Sequence, residues 1–250
     1  MHTLSDIIIS ALPSLAEGFL TTIIIGFLAG MAIGRITYND YEKMTTNEEK
    51  SIRHFNEIAP KYANSHDGRF CEPIYEVIHR ILANTQSGTL LDVSCGNGEL
   101  LSRLTDTPLH LCGVDFSPKM IKEARKRLGD KARLEVESAE HLPFADASVD
   151  VLTCTFAFHH YTHPDTVLKE FYRVMKPGAA MLIADPFVPQ PVRGLLNPLL
   201  RFSNNGDYHI YGKKEMNRIE KMAGFEVLQY SHIGRRAFLI KSIKSPTQIS

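Results

Sequence analysis

Hydrophobic and polar positions divide the chain into two parts of different texture. Between Gly18 and Gly34 the sequence carries no charged residue, whereas from about residue 49 onward short apolar runs alternate with amphipathic stretches. We therefore predict an apolar N-terminal helix within residues 1–43, followed by one folded domain over residues 44–250.

The domain alternates between helical and extended periodicity along its length. Amphipathic spacing predicts helices over Asn47–Ala59, Arg69–Ala83, Gly98–Thr105, Pro118–Leu128, Pro164–Met175 and Lys213–Ala223. Apolar runs predict strands over Thr89–Ser94, Leu109–Asp115, Arg133–Glu137, Val149–Thr155, Ala179–Asp185, Phe225–Ser231 and Arg236–Lys241. This order indicates an α/β fold, a doubly wound, Rossmann-like seven-stranded sheet that ends in an antiparallel hairpin.

The uncharged run over residues 18–34 is at the lower limit for a helix that crosses a bilayer, about 17–25 residues. Small residues recur at every fourth position, a spacing that lets membrane helices approach closely and that suggests a homodimer face. These residues are Gly18, Thr22, Gly26, Gly30 and Gly34. Arg35 and Lys43 follow the run, so the positive-inside rule predicts a domain tethered to the cytoplasmic face of a membrane.

Two other interpretations of the N-terminal segment remain open. The helix can pack on the folded domain or on a partner, without entering a membrane. Alternatively, the segment results from an upstream start codon, because Met44 opens a stretch that would itself begin a soluble enzyme.

Composition and charge narrow the class of the domain. Apolar residues make up 44% and charged residues 22% of the chain, an ordinary globular balance. The 28 Lys and Arg residues equal the 28 Asp and Glu residues, so no net charge favours a nucleic-acid partner. The scattered cysteines indicate reduced thiols, three of them in predicted buried strands. They are Cys71, Cys95, Cys112 and Cys154.

The end of the first predicted strand carries the strongest functional pattern. Asp92 stands near the strand end, and Gly96 and Gly98 occupy the turn before the next helix. Glycine lets a backbone approach a ligand closely, and a helix start offers unpaired N–H groups. Asp115 ends the second strand, where a carboxylate can accept both hydroxyls of a ribose. Together these features predict a ligand that contains a nucleoside.

Missing residues restrict the choice of nucleoside. The glycine turn lacks the Lys and the following Ser or Thr of a Walker loop, and Leu101 replaces the third glycine of a dinucleotide fingerprint. A nicotinamide oxidoreductase is disfavoured for this reason and by the terminal hairpin. A glycine turn with a ribose acid, but without phosphate-binding residues, suits S-adenosylmethionine.

Four segments in order resemble the motifs of the class I S-adenosylmethionine-dependent methyltransferases, most closely the branch with the ubiquinone and menaquinone C-methyltransferases. They read LLDVSCGNGELL, GVDFSPKMI, ESAEHLPFADASVDVLTCTFAFHH and EFYRVMKPGAAMLIADP. The resemblance covers roughly residues 50–241. It implies the cofactor S-adenosyl-L-methionine and a transferase of one-carbon groups.

The resemblance also implies which residues bind the cofactor. Asp92 and the glycines would hold the methionine part, Asp115 the ribose, and Phe116 and Met120 the adenine. The amino-terminal family pattern, which closes over the cofactor, matches Phe55, Ala59 and Tyr62. The full predicted set is Tyr62, Asp92, Ser94, Gly96, Asn97, Gly98, Asp115, Phe116, Met120, Ser138, Ala139, Glu140 and Thr155.

Two positions depart from the family pattern. Ser94 replaces the first glycine of the loop, and Ser138 replaces an Asp that usually contacts the adenine amino group. A neutral hydroxyl is a weaker acceptor than a carboxylate, which predicts reduced cofactor affinity. Ser138 also keeps open a second function, a non-catalytic, membrane-tethered interaction protein that binds the cofactor.

His159 and His160 follow the fourth strand and are the predicted catalytic residues. A hydrogen-bonded structural role is the alternative for each, because methyl transfer needs a base only if the acceptor loses a proton. The HHYTH run over His159–His163 is not expected to bind a metal, since its sequence spacing suggests no Cys or carboxylate partner.

The segment over residues 186–212 is predicted to cover the acceptor. It is rich in Leu, Pro and Phe, poor in acidic residues, and contains Arg193 and Arg201. We therefore expect a small lipophilic or aromatic acceptor, such as a quinone, an isoprenoid or a lipid. The two arginines further suggest that the acceptor carries an anionic group.

Overall fold

The computed structural model describes residues 46–200 and 202–245. Within these residues, helices α1 to α7 span Asn47–Ile58, His66–Leu82, Glu99–Ser102, Pro118–Leu128, Pro164–Val174, Val192–Leu200 and Lys213–Met222. Strands β1 to β7 span Gly88–Val93, Leu109–Asp115, Ala132–Val136, Val149–Thr155, Met175–Pro186, Phe225–Ile233 and Ala237–Lys244. Short 3₁₀ turns cover Ala59–Asn64, Gly129–Lys131 and Phe158–His160.

The seven strands form one sheet in the order β3-β2-β1-β4-β5-β7-β6. Strands β1 to β5 pair in parallel, and β7 pairs antiparallel with both β5 and β6. The predicted doubly wound sheet and its closing hairpin are confirmed. The strand order reverses between β1 and β4, and ligands in such sheets bind at this point beyond the carboxyl ends of the strands.

Local sequence signals account for several helix ends. The Ser117 hydroxyl accepts the Met120 N–H at the start of α4, and Gly129 follows the helix with a φ of 54° that favours glycine. Thr46 and Glu49 form a reciprocal capping box at the start of α1. These contacts fix both ends of α4 and the first turn of α1.

Helices cover both faces of the sheet. Leu90 of β1 packs on α2, α3 and α4, while Leu91 and Val93 pack on α5 and α7 through the opposite core. Leu101, which replaces a fingerprint glycine, is fully buried in the first of these cores. All four cysteines are free and buried. Cys112 and Cys154 lie in strands, whereas Cys95 follows β1 and Cys71 lies in α2, so only two of the three expected strand positions are correct.

Three elements differ from their sequence prediction. Helix α3 ends at Ser102 because the N–H groups of Arg103 and Leu104 turn back to carbonyls three residues earlier. Strand β5 begins at Met175, which pairs with Val149 across a register shift. The 186–212 segment contains the unpredicted helix α6, which includes Pro198.

The predicted N-terminal helix, its uncharged run over residues 18–34 and its glycine face lie outside the described residues. Among residues 46–200 and 202–245, no helix has the length and apolar character that crossing a bilayer requires.

Candidate active site

A cavity of about 890 Å³, counted with its open mouth, lies beyond the carboxyl ends of β1, β2 and β4. The loop after β1 and helix α1 both contribute residues to its lining. Two predicted regions, the glycine turn and the end of β2, therefore meet in one place.

The loop after β1 is shaped by left-handed backbone conformations. Ser94 has a φ of 58°, Gly96 of 55° and Gly98 of 73°. Such a conformation costs a non-glycine residue about 1 kcal/mol or more. Ser94 adopts this conformation, and its hydroxyl lies 2.8 Å from the Tyr161 hydroxyl, within hydrogen-bond distance. The serine that departs from the family pattern thus joins the loop to the segment after β4.

Asp115 holds the turn closed from the end of β2. Its Oδ2 accepts the Gly96 N–H at 2.8 Å, and its Oδ1 accepts the Ser117 N–H at 2.8 Å. The carboxyl group is only 4% exposed, and this burial raises its pKa to about 6, although both N–H bonds oppose the rise. A carboxylate oxygen can accept more than one hydrogen bond, and Asp115 lines the cavity, so the group has acceptor capacity left for a ligand.

Asp92 is a second buried acid behind the loop. The Thr153 hydroxyl donates to its Oδ1 at 2.7 Å, while Oδ2 has no hydrogen-bond partner in the described part of the chain. Burial raises the pKa of Asp92 to about 7, with the Thr153 bond acting in the opposite direction and Asp115 adding to the rise. Two buried acids beside one cavity favour a cationic ligand.

Most of the predicted cofactor-binding residues line this cavity. They are Tyr62, Ser94, Gly96, Asp115, Phe116, Met120, Ser138, Ala139, Glu140 and Thr155. Asp92, Asn97 and Gly98 do not line it: Asp92 lies in β1, and Asn97 and Gly98 lie in the loop after β1. Ser138 accepts the Glu140 N–H at 3.2 Å and thereby shapes the turn after β3.

Several lining residues were missed by the sequence reasoning. Glu48 and Ser51 reach the cavity from α1, Tyr75 from α2, and Phe156 from the end of β4. Phe156 has a φ of 50°, and its ring meets Phe70 edge-on at 5.0 Å. Helical spacing from Phe55, which also lines the cavity, would have identified Glu48 and Ser51 on the same face of α1.

The loop over residues 203–207 holds α1 in place. Ser51 donates to the Asn205 carbonyl at 3.1 Å, and the Asn47 side-chain amide donates to the Asp207 carbonyl at 2.9 Å. Gly206 has a φ of 80°, and a Cβ there would collide with Ser51. The two segments therefore fit together only with glycine at this position.

The two predicted catalytic histidines occupy different environments. His160 lines the cavity, whereas His159 lies behind it between Asp185 and Asp207. Burial opposes protonation of His159, but the two carboxylates outweigh it and raise its pKa to about 10. Burial and the nearby His159 lower the pKa of His160 to about 3, so His160 is a neutral imidazole.

The described residues of the 186–212 segment do not line the cavity. They contact its wall from outside, through the hydrogen bonds of the 203–207 loop to α1. Arg193 lies against Gly212 and close to the Val188 carbonyl, and Arg201 lies outside the described residues. The role of this segment as a cover over the acceptor stays a prediction.

In comparisons with known proteins, both the matching family and the similar sequences are methyltransferases. Residues 91–183 match the family described as Methyltransferase domain. The chain is 29% identical over 197 residues to the demethylmenaquinone methyltransferase of Chlorobaculum parvum, covering 75% of this chain and 77% of that protein. It is 26% identical over 172 residues to the ubiquinone/menaquinone biosynthesis C-methyltransferase of Geotalea daltonii, covering 59% and 68%.

Solved structures share the fold. The crystal structure of a SAM dependent methyltransferase from Aquifex aeolicus superposes with a TM-score of 0.58 at 22% identity, covering 74% of this chain and 98% of that one. At this identity the likeness concerns the fold alone.

Proposed function

We propose that this chain, which belongs to the S-adenosylmethionine-dependent methyltransferases, methylates a small lipophilic or aromatic acceptor. The cofactor supplies an electrophilic methyl group on a sulfonium ion. The positive charge of the sulfonium fits this site, since the Asp115 carboxyl group lines the cavity and Asp92 is a second buried acid near its lining. The glycine turn adds a backbone surface that a ligand can approach closely.

The chemistry of the cavity lining carries the proposal for the acceptor. Within the described part of the chain, the lining has no Lys or Arg, and its charged residues are Glu48, Asp115, Glu137 and Glu140. Aromatic rings, Phe55, Phe116, Phe156 and Tyr161 among them, supply apolar surface. An acidic, aromatic cavity suits an uncharged, flat acceptor and repels an anion. An anionic group on the acceptor, expected from Arg193 and Arg201, is therefore dropped from the proposal.

Positioning accounts for much of the rate in a direct displacement of this kind. Helix α1 and the loop after β1 both line the cavity and would help to exclude water from it. Neutral His160 offers a hydrogen-bonding nitrogen to a hydroxyl of the acceptor, and Tyr161 lies next to it in the lining. The names of the quinone methyltransferases that the chain is similar to support a hydroquinone as the acceptor.

Labelled methyl transfer tests the proposal. The full chain is incubated with methyl-labelled cofactor and three acceptors: an isoprenoid naphthohydroquinone, a phospholipid and an aromatic carboxylate. We expect label in the hydroquinone and none in the carboxylate. Label in the carboxylate alone would contradict the proposed acceptor. Cofactor binding without any methyl transfer would favour the non-catalytic alternative. The methyltransferase relatives do not support that alternative.

Replacing His160 tests its role in this reaction. We expect His160→Gln to lower turnover about tenfold and to leave cofactor affinity within about twofold, because His160 lines the cavity and is proposed to contact the acceptor. Steady-state kinetics with calorimetry for the cofactor separates the two effects. His163→Gln, at an exposed position paired with Glu140, is the matched control. Unchanged turnover in His160→Gln would remove the residue from the mechanism.

Cofactor binding should depend on pH. The raised pKa values, about 6 for Asp115 and about 7 for Asp92, leave both acids partly protonated near neutrality. A cationic ligand favours the carboxylates, so binding releases protons and affinity rises with pH from about 5 to 7.5. Calorimetry in two buffers of different ionisation enthalpy measures the release. The demethylated product, which lacks the sulfonium charge, should show a weaker dependence, and a flat profile for the cofactor would contradict the assignment.

We also propose that residues 1–43 bring the enzyme to a membrane, where a lipophilic acceptor partitions. The uncharged run over residues 18–34 supports this proposal. Co-sedimentation with vesicles, compared between the full chain and a chain that begins at Met44, is the test. Equal sedimentation of the two chains would contradict the proposal.

A further inference from the structure

Three side chains converge where the turn after β4 meets the loop before α7. His159 Nε2 lies 3.4 Å and His160 Nδ1 lies 3.7 Å from the same oxygen, Asp207 Oδ1. These three atoms all lie within 4.8 Å of one another. Asp207 is 1% exposed, and its Oδ1 has no hydrogen-bond partner among the described residues. A buried carboxylate oxygen without a hydrogen-bond partner and two imidazole nitrogens that face it form a set of donor atoms typical of a metal site.

The separations fit coordination bonds to a shared ion. Zinc binds imidazole nitrogen and carboxylate oxygen at about 2.0–2.2 Å, so neighbouring ligands of a tetrahedral ion lie about 3.3–3.6 Å apart. The distances of 3.4 and 3.7 Å are near this value, with small movements needed to centre an ion. They are also long for direct hydrogen bonds, which are about 2.7–3.2 Å. His160 Nδ1 in addition lies 3.3 Å from the Ser51 hydroxyl, a contact that an ion would replace.

The residues around the cluster hold its ligands in orientation. His159 Nδ1 donates to Asp185 Oδ1 at 2.8 Å, and Asp185 is fully buried. Metal-binding histidines commonly donate the second ring N–H to a carboxylate in this way. The Ser203 hydroxyl donates to Asp207 Oδ2 at 3.0 Å, which leaves Oδ1 turned toward the histidines.

Charge also favours a divalent cation. Asp185 and Asp207 place two carboxylates in a buried cluster, and in the described part of the chain their ion pairs are with His159 and His160. A divalent ion on neutral imidazoles balances the two negative charges. Two imidazoles and one carboxylate favour zinc, cobalt or ferrous ions over magnesium and calcium, which prefer all-oxygen sites.

We propose that His159, His160 and Asp207 bind a divalent transition-metal ion of the zinc type, with Asp185 orienting His159. His160 and Ser51 line the cavity, so the ion would border it. Three protein ligands leave a position for water or, if the proposed function holds, for a hydroxyl oxygen of the acceptor. Without a metal, the same residues form a buried ion-pair cluster in which protonated His159 joins the two carboxylates, and this is the competing explanation.

Metal titration of the full, untagged chain separates the two explanations. The protein is treated with a chelator and then titrated with Zn²⁺ against a chromogenic competitor, with Co²⁺ as a spectroscopic probe and Mg²⁺ as a negative control. We expect one Zn²⁺ per chain with micromolar or tighter affinity, and visible absorption bands of low-coordinate Co²⁺. Cofactor and acceptor are absent, so a failed methyl-transfer assay and a failed metal assay remain distinguishable.

Variants locate the bound ion. Asp207→Asn and His160→Gln should each weaken Zn²⁺ binding at least about 100-fold, and Asp185→Asn about 10–100-fold, as removal of an orienting partner does. His163→Gln, in the same HHYTH run but paired with Glu140, should bind like the wild type. His160→Gln leaves the ion pairs of His159 with Asp185 and Asp207 intact. It therefore still tests the proposal if Asp207→Asn does not fold. Absence of stoichiometric Zn²⁺ binding, or an equal loss in His163→Gln, would overturn the proposal in favour of the ion-pair cluster.

Discussion

Asp115→Ala is expected to weaken S-adenosylmethionine binding at least about 100-fold, or about 2.7 kcal/mol. The substitution removes the carboxylate proposed to hold the ribose, and it leaves the Gly96 and Ser117 N–H groups without their acceptor. Unpaired buried N–H groups cost about 1–3 kcal/mol each, so the glycine turn should also lose its shape. Calorimetry at about pH 7.5, where the group is ionised, measures the affinity.

Glu48→Ala is the control for this prediction. Glu48 also lines the cavity, but it lies on α1 and is exposed, so it contributes general negative potential without a directed bond to the turn. We expect its affinity to stay within about threefold of the wild type. Equal losses in both variants would mean that the cavity attracts the cofactor only by charge. Circular dichroism of Asp115→Ala checks that the sheet is intact.

Gly98→Ala is expected to lower the free energy of unfolding by about 2–4 kcal/mol. A Cβ at this position would lie 2.7 Å from Leu128 Cδ1 and 3.1 Å from Ala124 Cβ, and the φ of 73° adds backbone strain. Helix α4 would have to move away from the loop after β1, which also displaces Asp115 from its turn. Urea denaturation measures the change.

Gly178→Ala separates two causes of the stability loss expected for Gly98→Ala: the steric clash of the new Cβ and the strain of a left-handed backbone. Gly178 has a φ of 77° in β5, but a Cβ there would meet nothing within 4 Å. Its replacement should cost only the left-handed strain, about 1–2 kcal/mol. If the two variants lose the same stability, the contact between the loop and α4 has no energetic role.

The features predicted correctly from the sequence are those with local signals. Helix α4 was placed at Pro118–Leu128 because Ser117 and Gly129 are neighbours in sequence and act on its ends directly. Strand β4 is predicted with its observed bounds because apolar and β-branched residues fill every position of Val149–Thr155 except Asp150. The family resemblance supplies the predicted cofactor-binding residues, most of which line the cavity, and their binding roles stay a prediction.

The features that were missed depend on contacts between distant segments. No spacing in the HHYTH run indicates Asp207, which reaches the two histidines only through the fold of the 203–207 loop. Ser51 was missed because its role depends on Asn205, far along the chain. Helix α6 was not predicted because its segment contains Pro198 and several other prolines. Burial of Leu196 and Leu200 stabilises the helix despite them.

The hydrogen bonds between α1 and the 203–207 loop have a consequence for the order of folding. They join residues that are 154 and 160 positions apart, among the most distant contacts along the chain. Contacts of such separation form late, because the entropy of closing the intervening chain must be offset first. During synthesis, α1 emerges from the ribosome well before the loop that fixes it. We therefore expect the sheet to form before the cavity is complete, and amide hydrogens of α1 to exchange with solvent faster than those of β1 and β4.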